Sequence, residues 1–488
     1  MVCIQNDCPN CTGSGPIESP KGAMLSLMSS APEFWIAALE SALGRDRVLT
    51  DADRLPSFAG DESGVGPVLP SAVARVRSAS EVGEAVRVAA EHGVPITARG
   101  GGTGKAGGCV PSAGGLVIDL SPMKRVNAID KTSMVAEIEP GVVTGDFRRL
   151  VAEEGFLYPP DPNSLATCTV GGNVATNAGG PSSMKYGVTR EYVLGLDLVV
   201  AGGDLIRLGR RTLKGVAGYD LTALVVGSEG TLGVVTSITL RLRPLPRAVR
   251  TLLTYFRATA DAASAVAHLA ASGVDLRAAE FIDTLSLEAA RAKGGFDVPA
   301  DAGAVLLIEL DAEREDGSID AVMEAVGELL LAHGAADTSV AASESQREAI
   351  WSVRRDLSAS IKEGRRFSIS EDVGVPRANV PELVARVEKI RDRSRIDMST
   401  YGHAGEGNLH VNLLWDEPGD RDRAVRASEE VFRAALDLGG TISGEHGLGI
   451  AKRRFLPWEQ SDPVIALQRE LKRVFDPSGI MNPGKLLP

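Results

Sequence analysis

The sequence predicts an α+β chain built in two unlike halves, and three observations carry that prediction. Residues 71–247 alternate short apolar strands with helices and include two long glycine-rich segments. Pro244 and Pro246 interrupt the pattern. From residue 248 a strand–helix–strand–helix order takes over and ends in a Pro/Gly-rich tail. At 488 residues the chain exceeds one ordinary core, so two or three domains are expected.

The elements follow in order. Residues 1–23 hold Cys3, Cys8 and Cys11 among Gly, Pro, Ser and Asn, and read as a disordered leader. Their single Cys-x-x-Cys pair is half a zinc site at best. "SAPEFWIAALESALG" is an amphipathic helix that opens a first domain over 24–247. "AVARVRSASEVGEAVRVAAEHGVPITARGGGTGKAGG" reads strand, helix, strand, glycine loop, with Ser78 as helix cap and Glu81 three residues on. Residues 248–455 form a second domain. "RTLLTYF", "GAVLLIELDA" and "ADTSVAA" read as strands, with helices "DAASAVAHLAASG" and "DAVMEAVGELLLAHG" between them. That order predicts a ferredoxin-like layer of helices on an antiparallel sheet. Residues 456–488 supply a last helix, stopped at Asp-Pro, and a tail.

Composition removes several function classes. Acidic residues outnumber basic ones 64 to 52, a net charge of −12, which argues against a general nucleic-acid binder. No apolar run reaches the roughly 18 residues that a membrane span needs. The odd cysteine count, with Cys109 and Cys168 isolated, fits a reducing compartment, so a cytoplasmic location is expected.

The segment Gly102–Gly107, G-T-G-K-A-G, matches a dinucleotide-binding fingerprint formally. That fingerprint requires a helix at once, and "GCVPSAGG" cannot form one. A phosphate-binding Walker loop fails too: Ala106 follows Lys105, and Arg99 stands where its first glycine should be. What remains is a long glycine loop after a strand, able to turn its N–H groups onto an anion. A second small-residue segment, "YPPDPNSLATCTVGGNVATNAGGPSSMKYG", has too many glycines for a helix or strand and is too long for a plain connection. Two such segments predict a wide, flat ligand lying against backbone.

Two of the six histidines, His403 and His410, flank the turn of "STYGHAGEGNLHVNLLW". Two strands joined at Glu406-Gly407 set His403 opposite His410, with Cβ atoms ~4.5–5.5 Å apart. Two imidazoles so placed share one divalent metal, and Glu445 in "GGTISGEHGLG" completes an N,N,O set. Such ligands suit zinc, iron or manganese. In extended backbone Glu445 and His446 point to opposite sides, which suggests one ligand and one general base. His92, His268 and His333 sit at ordinary helix positions.

"RGGGTGKAGG", "TVGGNVATNAGG", "KYG" and "GSEGTLGVVTSITLRLRPLP" together resemble the FAD-binding domain of the vanillyl-alcohol oxidase/p-cresol methylhydroxylase (PCMH-type) superfamily. "GHAGEGNLH", "SGEHGLG" and "FDPSGIMNPGK" resemble its D-lactate dehydrogenase/glycolate oxidase D-subunit/D-2-hydroxyglutarate dehydrogenase branch, and the likeness spans about residues 45 to 487. It implies a two-part PCMH-type FAD-binding domain, a ferredoxin-like cap over the flavin, and a C-terminal segment returning to the FAD domain. It implies that Arg99, Gly100, Gly101, Gly102, Thr103 and Gly104 hold the FAD pyrophosphate. Pro160, Asp161, Thr167, Gly171, Gly172, Asn173, Asn177, Gly179, Gly187, Glu229, Gly230 and Asn482 would complete the cofactor site. Thr103 stands where some members carry a flavin-linking histidine, so non-covalent FAD is expected.

The resemblance gives His403, His410 and Glu445 the metal, usually zinc, and His446 the base. It aligns Arg354 of "EAIWSVRRDLSASI" with a substrate-carboxylate arginine, Arg355 being the fallback. Ser370 falls where relatives acting on a second carboxylate have lysine, although Lys362, Arg365 and Arg366 lie close in sequence. The implied reaction is FAD-dependent oxidation of a D-2-hydroxy acid. Electrons would pass to a non-nicotinamide acceptor such as a quinone, a cytochrome or a flavoprotein. A homodimer is admitted. Two other classes stay open: an alkyl-dihydroxyacetone-phosphate synthase, with a phosphate site and a long apolar tunnel, and an electron-relay flavin subunit.

Overall fold

A computed structural model of the chain describes residues 32–111, 114–292 and 299–488. The leader, with Cys3, Cys8 and Cys11, lies outside the described residues. The first half holds two sheets. Val48–Leu49, Ala72–Arg75, Leu116–Asp119 and Ile96–Arg99 lie side by side in that order, the last three parallel. Helix Ala79–Glu91 is the crossover between Ala72–Arg75 and Ile96–Arg99 and packs Val82, Ala85, Val86 and Ala89 inward. Ser78 Oγ accepts from Glu81 N, as its spacing predicts. The Glu81 carboxylate reaches back one residue further, to Arg77 N.

The second sheet is antiparallel, in the order Val126–Asp130, Val135–Ile138, Val234–Arg241, Val193–Val199, Leu205–Gly209. The C-terminal tail returns to the first sheet: Ile96 N donates to Ile480 O at 2.7 Å and Asn482 N to Ile96 O at 2.8 Å.

One expectation for this half fails. Inside "TVGGNVATNAGG" the structure has a helix, Val170–Thr176. Thr169 Oγ1 caps it by accepting from Gly172 N, and Asn177 ends it in the left-handed region, φ 53°. A Cβ at Gly171 would stand 2.4 Å from Pro140 Cβ, so the glycine admits a close neighbour. Capping and packing outweigh the low helix propensity of this composition.

The second half is built on one seven-stranded antiparallel sheet. Its order is Ala335–Val340, Ala248–Phe256, Ala304–Ala312, Ala278–Ile282, Asp397–Gly402, Asn408–Trp415, Phe367–Gly374. The first four strands have the ferredoxin-like arrangement, and three more extend it. Helices Thr259–Ser272, Ser318–Ala332, Val380–Ser394 and Arg421–Asp437 cover one face with a large apolar core. Thr284–Ala292 and Glu344–Lys362 cover the other, around Leu287, Leu357, Ile361 and Tyr401.

Polar contacts join the halves. Asp311 of the sheet receives Lys185 Nζ at 2.7 Å and the Tyr186 hydroxyl at 2.7 Å. Glu229 accepts Leu448 N and Gly449 N, each at 2.8 Å. Two charge-assisted bonds to one buried carboxylate outrank an ordinary surface contact.

Candidate active site

A cavity of about 620 Å³ lies between the halves. That is inside the range of about 300–1,000 Å³ usual for small-molecule sites. One wall is made by Arg99, Gly100, Gly101, Gly102, Thr103 and Gly104, by Thr167, Gly171, Gly172 and Asn173, and by Glu229 and Gly230. The two glycine segments touch: a Cβ on Gly101 would stand 2.3 Å from Thr167 O. The result is a side-chain-poor wall that a flat ring system and phosphates can approach closely. Arg99 Nη1 donates to Gly60 O at 2.7 Å, so its guanidinium braces the wall from the protein side.

Six other residues implied as cofactor contacts do not line this cavity. Asp161 accepts from Ser182 N at 3.0 Å. Asn177 caps the helix end and accepts from Arg190 N at 2.9 Å. Asn482 donates to Glu229 O and Gly108 O. Gly187 closes a helix turn with φ 76°. Pro160 O receives Arg148 Nη1 at 2.9 Å. Gly179 lies against Glu445, whose Oε2 a Cβ there would approach to 3.2 Å. The polar atoms named for Asp161, Asn177, Asn482 and Pro160 are thus taken by protein partners.

The opposite wall carries Arg355, Lys362, Ser370, Tyr401, His410, Asn412, Glu445 and His446. His403 and His410 converge, ring centroids 5.4 Å apart, but by a different register from the predicted one. Tyr401, not His403, pairs with His410. His403 lies past the strand end and starts the turn, its carbonyl accepting from Glu406 N and Asn408 N. The turn is longer than the simple two-residue connection, so the pairing slips while the rings still meet.

Glu445 Oε1 is 3.5 Å from His403 Nε2 and 3.5 Å from His410 Nε2. Bonds of about 2.1 Å in tetrahedral geometry place ligand atoms about 3.4 Å apart, so the three atoms fit one divalent ion. His446 stacks on His410 with centroids 5.2 Å apart and planes 7° from parallel. Glu445 and His446 thus both face the cavity, instead of opposite sides. The chain bends there because Asp372 Oδ2 gathers Glu445 N at 2.8 Å and His446 N at 2.9 Å.

Two buried carboxylates absent from the sequence prediction stand behind the imidazoles. Glu280 Oε1 is 2.6 Å from His403 Nδ1. Asp372 lies 3.6 Å from His410 Nδ1. An acid inside the apolar strand "AAEFI" is costly unless paired, and that was the available signal for Glu280. Asp372, His410 and His446 also gather within ligand distance. However, Asp372 Oδ2 already accepts two amides and Ser443 Oγ, and Oδ1 accepts Asn408 Nδ2. The Glu445 set is therefore the better cation site.

Burial opposes charge throughout. It would lower His403, yet Glu280 and Glu445 overcome it and pull His403 well above the ordinary histidine value. Burial, with only partial compensation from Glu445, takes His410 down to about 3. It lowers His446 as well, against the pull of Asp372. Glu445 resists its own burial through His403 and falls to about 2. In the metal-free protein, then, one proton sits on His403 where a cation would balance the same carboxylates.

The structure places Arg354, the arginine expected to hold the substrate carboxylate, behind the cavity wall. It is fully buried and does not line the cavity. Its Nε donates to Glu280 Oε2 at 2.7 Å, its Nη2 is 2.5 Å from the same oxygen, and it lies 4.8 Å over the Tyr401 ring. Glu280 takes its Nε side, while Nη1 is buried without a hydrogen-bond partner among the described residues. Arg355 is the arginine of this helix on the wall. Arg365 pairs with Asp397 and Asp416, away from the site.

The chain matches two family descriptions. "FAD binding domain" covers residues 70–209, and "FAD linked oxidases, C-terminal domain" covers 245–486. It is 38% identical over 420 residues to glycolate oxidase subunit GlcD of Bacillus subtilis (86% of this chain, 89% of the relative). It is 33% identical over 450 residues to D-lactate dehydrogenase of Anaerostipes hadrus (90% and 94%). Over 462 residues it is 33% identical to D-2-hydroxyglutarate dehydrogenase of Stutzerimonas stutzeri (92% and 98%). In fold it is similar to p-cresol methylhydroxylase with substrate bound, TM-score 0.77 at 19% identity (96% and 98% covered). It is also similar to alkyldihydroxyacetonephosphate synthase, TM-score 0.73 at 19% identity (93% and 85%). With its two sheets, its cap and its glycine wall, the chain belongs to the FAD-linked oxidase family of oxidoreductases.

Proposed function

We propose that the protein is an FAD-dependent D-2-hydroxy-acid dehydrogenase that converts D-lactate, glycolate or a similar acid to the 2-oxo acid. The observation that carries this reading is a cation-sized N,N,O set, His403, His410 and Glu445, of which His410 and Glu445 line, with His446, the cavity that the glycine wall bounds. Relatives named for glycolate, D-lactate and D-2-hydroxyglutarate are 33–38% identical to it over aligned segments of 420 to 462 residues.

The glycine wall would hold FAD non-covalently, and FAD would supply a two-electron acceptor. His403, His410 and Glu445 would hold a divalent ion, for which we favour zinc, and such an ion would supply Lewis acidity. The chain does the rest. His446, kept neutral by burial, takes the hydroxyl proton. Arg355, on the wall, holds the C1 carboxylate. Tyr401 and Asn412 bound the substrate on the cap side and orient C2 toward the flavin wall. Ser370 spends its hydroxyl on Asn412 Oδ1 at 2.7 Å, which favours a compact substrate over 2-hydroxyglutarate. Electrons would pass on to a quinone, a cytochrome or another flavoprotein.

The test is a screen of D- and L-2-hydroxy acids with a dye acceptor, with and without chelator. Activity on D-acids, lost with chelator and restored by a divalent metal while FAD stays bound, is expected. Full activity in metal-depleted protein would overturn the metal site.

A further inference from the structure

We infer that Asp372 is a positioning residue shared by the metal ligand His410 and the base His446, holding both rings with Nδ1 protonated and Nε2 bare. The inference rests on the roles proposed above for His410 and His446. Asp372 is fully buried. Its Oδ1 is 3.6 Å from His410 Nδ1 and its Oδ2 is 4.0 Å from His446 Nδ1. Both Nδ1 atoms are buried without a hydrogen-bond partner among the described residues. A neutral imidazole must put a proton on one nitrogen and a lone pair on the other. A lone pair aimed at a carboxylate is repelled and an N–H is attracted, so the side facing Asp372 carries the proton.

The near-parallel stack of the two rings follows from this shared carboxylate. His403 is served separately, by Glu280. The groups facing Asp372 come from every neighbouring element: His410 and Asn408 from the hairpin, Ser443, Glu445 and His446 from the following loop, and Lys452, whose Nζ bonds the Asp372 carbonyl at 3.2 Å. Asp372 therefore sets geometry and tautomer together. Its Oδ2 bends the loop that carries Glu445 and His446, and the same carboxylate orients the rings.

Asp372→Asn tests this. The amide oxygen still accepts the loop N–H groups, but its NH₂ puts a donor against His410 Nδ1 and favours the wrong tautomer. FAD content and circular dichroism should match the parent. Metal affinity should fall about 10–100-fold. At saturating metal, flavin reduction should still be slower by about 10²–10⁴-fold, with KM little changed. Full recovery of that rate by added metal would overturn the inference. Ser443→Ala removes one loop donor from the same oxygen and leaves the carboxylate in place. It should leave both quantities near the parent, and a loss equal to that of Asp372→Asn would reduce Asp372 to a loop anchor and overturn the inference.

¹⁵N-histidine NMR of the parent protein without metal needs no variant. Nδ1–H forms at His410 and His446 are expected, and an Nε2–H form at either overturns the inference. Failure of the parent protein to bind any divalent metal would instead end the metal reading, leaving the tautomer at His446 as a separate result.

Discussion

Arg354→Met removes a guanidinium from a place where nothing else can replace it. Arg354 and Glu280 are both fully buried, and Glu280 keeps only His403 once the arginine is gone. Removing one partner of a buried ion pair costs about 3–5 kcal/mol. His403 still faces the other Glu280 oxygen at 2.6 Å, so the loss should fall at the lower end, about 3 kcal/mol. Native-state hydrogen exchange reads this locally. Amides of Ala278–Ile282 and Glu344–Lys362 should lose about 100-fold of their protection. Zinc content should fall, because Glu280 sets the orientation of His403. Arg354→Met with Glu280→Gln should regain most of the protection but not the metal affinity. Parent-like protection and zinc content, with kcat/KM down by one to two decades (roughly 1.5–3 kcal/mol), would refute the reasoning. It would return the carboxylate grip from Arg355 to Arg354.

Three further outcomes are expected. His446→Ala should keep metal and FAD but slow flavin reduction by about 10²–10⁴-fold, and loss of metal in that variant would make His446 a ligand. Zinc affinity should rise about tenfold per pH unit while His403 is protonated, then level off above its raised pKa, because the metal must displace that proton. Calorimetry in buffers of different ionisation enthalpy should count about one proton released per metal, and none would exclude His403 as the proton's seat. Acid precipitation should leave FAD in the supernatant, whereas a yellow pellet would contradict the reading of Thr103.

The convergence of His403, His410 and Glu445 was legible because a short hairpin forces near neighbours together and the Glu-His pair is rare in so histidine-poor a chain. Their register was not, since turn length decides pairing and the hydrogen bonds of His403 O lengthen the turn. Glu280 and Asp372 were hidden for a different reason. Glu280 meets His403 across 123 residues, a closeness that only sheet order creates. The helix Val170–Thr176 escaped notice because its stability lies in caps and in contact with Pro140, not in its own composition. Arg354 and Arg355 differ by one position, and only the orientation of helix Glu344–Lys362 shows which reaches the cavity. In the second half, periodicity gave the strands Ala248–Phe256, Ala304–Ala312 and Ala335–Val340 and the two helices between them, but not strand Ala278–Ile282, which is short and buried on both faces.

Glu229 belongs to the flavin-binding half, yet both its oxygens hold the backbone two and three residues beyond His446. The loop that carries Glu445 and His446 is therefore pinned from both halves, by Glu229 from one and by Asp372 from the other. A displacement of the cap would pull on this loop from one side through Asp372 while Glu229 restrained it from the other. In the reaction proposed above, the spacing between the proton's path and the hydride's would be set by two buried carboxylates pulling on one loop.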